Sequence, residues 1–145
     1  MRQIDSHNIH FKGVFFLTQK LLPPLANHGA IINTSTGLTR FVYPGSALYA
    51  SIKGAIEVLT VYLAQELGPR KIRVNAIASG AINTEFSGDV YVKNPQRKEM
   101  IGANTALGRI GEASDIGALL ACLCSDEISK PKHLSRKQHA YDNAS

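Results

Sequence analysis

The sequence predicts an α/β fold in which helices pack on a parallel sheet. Two short runs, "GAIINTST" from Gly29 and "KIRVNAIASG" from Lys71, are continuously apolar or β-branched at their centres. That is the pattern of strands covered on both faces. The segments before, between and after them carry apolar residues at helical spacing. A helix lying between two such strands implies a parallel crossover.

The first helix is expected over Gly13–Leu25, where Val14, Phe15, Leu17, Leu21, Leu22 and Leu25 recur at helical intervals and Pro23–Pro24 disrupt the end. The first strand follows from Gly29, then a Gly/Pro-containing loop from Gly37 to Gly45. Ser46 is a fitting N-cap for a long helix to about Leu67. Its stripe is Ile52, Ile56, Leu59, Leu63 and Leu67, widened by Ala55, Val58 and Tyr62. Gly68–Pro69 stops it. After the second strand, "AINTEF" opens a loop into a shorter, more polar helix, and Glu112 to Cys124 reads as a last amphipathic helix. Two strands make a poor sheet, so the chain reads as part of something larger.

The 145 residues suffice for one domain, and 44% hydrophobic with 19% charged residues is ordinary for a soluble protein. The formal charge of +5 is uneven. In residues 129–145, Lys130, Lys132, Arg136 and Lys137 stand against Asp142, a net +3, which leaves +2 for the rest. A dedicated nucleic-acid surface on the body is therefore not expected, and 129–145 reads as a basic, disordered tail behind a domain of residues 1–128. Cys122 and Cys124 are two apart on a helix and cannot easily bridge; they read as small buried thiols of a reducing compartment. No histidine stands near them at metal-ligand spacing. The N-terminal "MRQIDSHNIHFK" has no signal-peptide core, and "GVFFLTQKLLPPLA" is too short and polar to span a bilayer. The expectation is a soluble, cytoplasmic protein.

Tyr49 and Lys53 are the pair with chemistry. Residues i and i+4 share a helical face. A lysine there favours phenolate and lowers the tyrosine pKa, and the positive end of the helix macrodipole acts in the same direction. Such a pair can pass a proton to a carbonyl or take one from an alcohol. By itself a Y-x-x-x-K spacing is common.

Its neighbours make it specific. "KGVFFLTQKLLP", "GAIINTST-G", "YASIKGAIEVLTVYLAQELGPRKIRVNAI" and "GAINTEF" occur in this order. From about Asp5 to Asp126 the sequence resembles the short-chain dehydrogenase/reductase family, over the second half of a family member. The resemblance implies a partial Rossmann-type doubly wound parallel sheet. It implies hydride transfer between NAD or NADP and a small-molecule alcohol or ketone, with the cofactor carrying the redox chemistry. Tyr49 would be the acid/base, and Lys53 would tune it and hold the nicotinamide ribose. Gly80 would admit the cofactor, with Ile82 and Thr84 contacting its carboxamide. "RFVYPGS" and the segment after Thr84 would shape the substrate pocket.

The family's serine lies 13 residues before the tyrosine, a position held here by Thr36. Ser35 cannot stand in, because one step along a strand reverses the side chain. Where many members carry a water-anchoring asparagine, this chain has His10, with Asn8 two residues away. The usual Pro-Gly after the second strand is Ser79–Gly80. The glycine-rich T-G-x-x-x-G-x-G turn of the nucleotide half and the final family strand have no counterpart, and the family pattern ends near Asp126. The alternative expectation is thus a truncated, inactive chain, poorly soluble or oligomeric, that associates with itself or a full-length relative through its two long helices. An exposed sheet edge would add to that tendency.

Overall fold

The computed structural model describes residues 6–85 and 94–125. The expected 129–145 tail lies outside them, as does the stretch directly after Glu85.

Helix α1 spans Val14–Leu21, and a π-helical turn, Asn8–Gly13, leads into it. The regular helix stops short of the expected Leu25 because Pro23 and Pro24 cannot donate. The Leu25 N–H nevertheless bonds back to the Leu21 carbonyl at 3.1 Å and continues the direction for one turn. Strand β1 is Ala30–Thr36, helix α2 is Ala47–Glu66 and strand β2 is Arg73–Ser79. β1 and β2 pair in parallel from Ala30 opposite Arg73 to Thr36 opposite Ser79. The predicted α/β order and parallel crossover are therefore present.

Two short strands were not expected: β3, Ile82–Asn83, and β4, Gly111–Glu112, which pair with each other in parallel. Helix α3, Pro95–Ala103, lies between them, and α4, Ala113–Cys124, follows. Two residues per strand leave no periodicity to read.

α2 packs on both β1 and β2, and its stripe forms the core as expected. Ile52, Ile56, Leu63 and Leu67 are buried together with Ile72, Val74 and Ile77. Leu22, Leu25, Ile31 and Leu59 close around Leu63, Leu67, Ile72 and Val74. Val58 and Tyr62 do not widen the stripe. They lie on the far side of the helix, 58% and 64% exposed, beside Val61. At 100° per residue, Val58 is about 200° around from Ile56. α2 is also long and apolar enough to cross a membrane by length and composition. However, it carries Lys53, Glu57 and Thr60 against the strands, which marks a core helix.

Charged side chains close the helix ends. Arg70 donates to the Leu22 and Leu25 carbonyls after α1, and Arg73 donates to the Leu123 carbonyl at the end of α4 at 2.6 Å. Ser46 occupies the N-cap position of α2, but its hydroxyl makes no capping bond there. The α4 start is a true capping box, Glu112 with Asp115. Cys122 and Cys124 are exposed rather than buried, because α4 buries no side chain fully.

Asp115 accepts from Arg109 at 2.8 Å and from the Glu112 N–H at 2.8 Å, and these bonds hold its pKa down at about 2. The sign follows from a depressed carboxylate. Its contribution to stability is present above the ordinary value of 3.8 and is lost as pH falls through about 2. A carboxyl-carbon NMR titration should therefore place Asp115 near 2, and Arg109→Gln should move it upward. A midpoint indifferent to that substitution would show that the ion pair is not made.

Candidate functional site

Parallel strands place their carboxyl ends together, and Thr36 and Ser79 stand opposite each other at that edge. Ligands of open α/β sheets bind outside this edge. The loop from Gly37 returns the chain to the start of α2, which places Tyr49 in the first turn and Lys53 one turn on. Gly37 has a steric reason: a Cβ there would stand 2.7 Å from the Phe41 ring. Gly80, Ile82 and Thr84 leave the same edge after Ser79.

Lys53 is 6% exposed. Its Nζ donates to the Thr34 carbonyl at 2.8 Å and lies 5.8 Å from the centroid of the Tyr49 ring. Burial lowers the Lys53 pKa and raises that of Tyr49. The expectation that Lys53 depresses the tyrosine is thus reversed here. The ammonium is engaged with a strand carbonyl and sits over the ring, so desolvation of the phenol wins. A protonated phenol is the form that donates a proton.

His10 enters from the π-helical turn and meets the Tyr49 ring edge-on, with centroids 5.7 Å apart. Burial first, then the Lys53 charge, lowers its pKa below 6.5, so the imidazole is neutral at pH 7. Asn8, at the start of the same turn, is exposed. Thr36 is 8% exposed, and its Oγ1 accepts from the Leu38 N–H at 3.4 Å. Ser35 faces the other way, toward α2, where its hydroxyl donates to Glu57 at 2.6 Å. The alternation expected along the strand is therefore seen.

Ile82 is half-buried against Gly111 of β4, and Thr84 is exposed. Among the described residues, nothing lies within 4 Å of where a Cβ at Gly80 would stand. The residues fit a nicotinamide riboside. The ammonium has three donors and Thr34 takes one, so Lys53 can hold ribose hydroxyls beside Tyr49. Thr84 and the backbone at Ile82 would meet the carboxamide beside Gly80. Among the described residues no group of three or more His, Cys, Asp or Glu is placed to hold a metal ion.

The "RFVYPGS" loop walls a recess of about 310 Å³ with Leu38, Ala47 and Ala50. Neither Tyr49 nor Lys53 lines it. Arg97 of α3 reaches across to this loop, donating to the Tyr43 hydroxyl at 2.7 Å with its guanidinium over the ring. The Arg97–Tyr43 contact and Glu57 escaped sequence reasoning. For Glu57 a signal existed: it is a charged residue i+8 from Tyr49, on the row that carries Lys53.

A family profile for Enoyl-(Acyl carrier protein) reductase matches residues 4–130. The chain is 37% identical over 120 residues to an uncharacterised oxidoreductase of Methylorubrum extorquens, covering 83% of this chain and 48% of that one. It is 34% identical over 125 residues to a 3-oxoacyl-[acyl-carrier-protein] reductase of Thermotoga maritima, covering 84% and 49%. Among solved structures, the promiscuous reductase LugOII superposes with a TM-score of 0.77 at 33% identity, over 83% of this chain and 46% of that one. The angucycline C-6 ketoreductase LanV with bound NADP gives 0.77 at 30%, over 84% and 46%. The fold is thus of the Rossmann type found in these enzymes. The chain belongs to the short-chain dehydrogenase/reductase family and spans about half the length of the curated relatives it matches.

In solution, the Tyr49 phenol should titrate above its ordinary value of 10.0. Ring-carbon NMR with labelled tyrosine, assigned by the signal lost in Tyr49→Phe, measures this. A midpoint below 10.0 would show that the Lys53 charge outweighs burial.

Proposed function

We propose that this chain carries the proton-transfer half of an NAD- or NADP-dependent oxidoreductase acting on a small-molecule carbonyl/alcohol pair. The observation that supports it most is that Lys53, bonded to the Thr34 carbonyl beside the carboxyl edge of a parallel sheet, lies against the Tyr49 ring, with Thr36 ending the same strand. When bound, the nicotinamide supplies or accepts the hydride. The residues do the rest. In reduction, the protonated Tyr49 phenol donates its proton to the carbonyl oxygen. The Thr36 hydroxyl donates a hydrogen bond to that same oxygen and fixes its position. Lys53 holds the ribose hydroxyls with the donors that the Thr34 carbonyl leaves over. In oxidation, the phenolate takes the alcohol proton. Ketone reduction also accords with the names of several relatives: a carbonyl reductase [NADPH], an acyl-carrier-protein-linked oxoacyl reductase and an angucycline ketoreductase.

A second reading rests on the surface. Phe16 and Leu17 of α1, and Val58, Val61 and Tyr62 of α2, are all more than half exposed. The three on α2 share one face. On this reading the chain is inactive alone and pairs through these helices with itself or with a full-length relative.

Turnover of NADH or NADPH with a panel of ketones and aldehydes separates the two. The first reading expects activity that falls about 10²- to 10⁴-fold in Tyr49→Phe. Lys53→Met should weaken cofactor binding about tenfold or more. Activity unchanged in Tyr49→Phe overturns it. No turnover, together with a size increase on mixing with a full-length relative, favours the second.

A further inference from the structure

We propose that Glu57 is a positioning residue that sets the distance between the strand end bearing Thr36 and the helix bearing Tyr49 and Lys53. Tyr49, Lys53 and Glu57 are spaced i, i+4, i+8, so the carboxylate follows the proton-transfer pair down one helical row. A single oxygen, Glu57 Oε1, accepts from Ser35 Oγ at 2.6 Å and from Thr39 Oγ1 at 2.9 Å. Ser35 is the last strand residue before Thr36 and is 1% exposed. Thr39 lies in the turn just after Thr36, and its one hydroxyl proton is shared between Glu57 Oε1 and the Thr36 carbonyl at 3.0 Å. Thr36 is therefore held from both sides by hydroxyls that converge on one carboxylate of α2.

The chemistry suits an ionised carboxylate. A hydroxyl donating to a charged oxygen makes a short, strong bond, and 2.6 Å is in that range. The hydrogen bonds from Ser35 and Thr39, with Arg40 nearby, lower the Glu57 pKa against a smaller opposing effect of burial. An apolar residue would fill the space but remove the one oxygen on which both hydroxyls converge. The sequence places this carboxylate between Lys53 and Thr60 on the part of α2 that meets β1 through polar groups.

The inference rests on the proton-transfer reading for its purpose, but its test needs no turnover, so an inactive chain leaves it standing. Two readouts serve: amide hydrogen exchange at Leu38, whose N–H bonds to Thr36, and the Tyr49 ring-carbon titration. Glu57→Ala should speed Leu38 exchange at least about tenfold and return the Tyr49 midpoint toward the ordinary value of about 10. Glu57→Gln keeps a carbonyl oxygen for both hydroxyls and should preserve both readouts. Thr60→Val, which removes the acceptor of Asn33 Nδ2 one turn further from the site, should lower the melting temperature and move neither. If Glu57→Ala does not fold, Thr39→Val removes one of the two bonds and should speed Leu38 exchange severalfold. Leu38 exchange and Tyr49 titration unchanged in Glu57→Ala or, where that variant does not fold, in Thr39→Val would overturn the proposal. So would loss of both in Glu57→Gln or an equal loss in Thr60→Val.

Discussion

The ammonium of Lys53 is buried between a helix and a strand, and the upper half of this fold is arranged around it. Taking a lysine charge out of water costs several kcal/mol unless it is paired or hydrogen-bonded. Here one N–H goes to the Thr34 carbonyl, a group left by the strand at the sheet's carboxyl edge. This bond fixes how far α2 slides along β1. It also brings the lysine under the Tyr49 ring and leaves two donors for another partner.

The interface between β1 and α2 is divided accordingly. Toward the amino end of the strands it is apolar: Leu63, Leu67, Ile72 and Val74 pack with Ile31 and Leu59. Toward the carboxyl end it becomes a polar ladder, with Asn33 on Thr60, Ser35 on Glu57 and Thr34 on Lys53. The apolar half supplies most of the burial. The polar half specifies one register, because each rung left unmade strands a polar group away from water. The proposed proton-transfer pair sits at the polar end, where packing gives way to placed donors and acceptors.

Much of this was legible in the residues. The core stripe of α2 was readable because Ile52, Ile56, Leu63 and Leu67 keep strict helical spacing. β1 and β2 were readable because their centres are β-branched and apolar. Tyr49, Lys53 and Thr36 could be located because the motifs around them resemble the short-chain dehydrogenase/reductase pattern, which their spacing alone would not have singled out, and the opposite facing of Ser35 and Thr36 follows from strand geometry. Other features needed three dimensions. β3 and β4 are too short to leave a pattern. Val58 and Tyr62 are apolar but outward, which periodicity blurs. The exposed cysteines follow from how little α4 buries. The pKa of Tyr49 depended on where the lysine points, and spacing cannot give that. Charge proximity on a helix suggested a lowered phenol, whereas the strand carbonyl and burial produce a raised one.

Lysine side-chain nitrogen NMR, following Lys53 through a pH titration, tests the account at its centre. The buried, carbonyl-bonded ammonium should lose its proton below the ordinary lysine value of 10.5. In Thr60→Val, which leaves its rung intact, the midpoint should stay there. A midpoint at or above 10.5 would mean that the amine stands in water, that the Thr34 bond is not made, and that the proton-transfer pair is not preassembled in this chain.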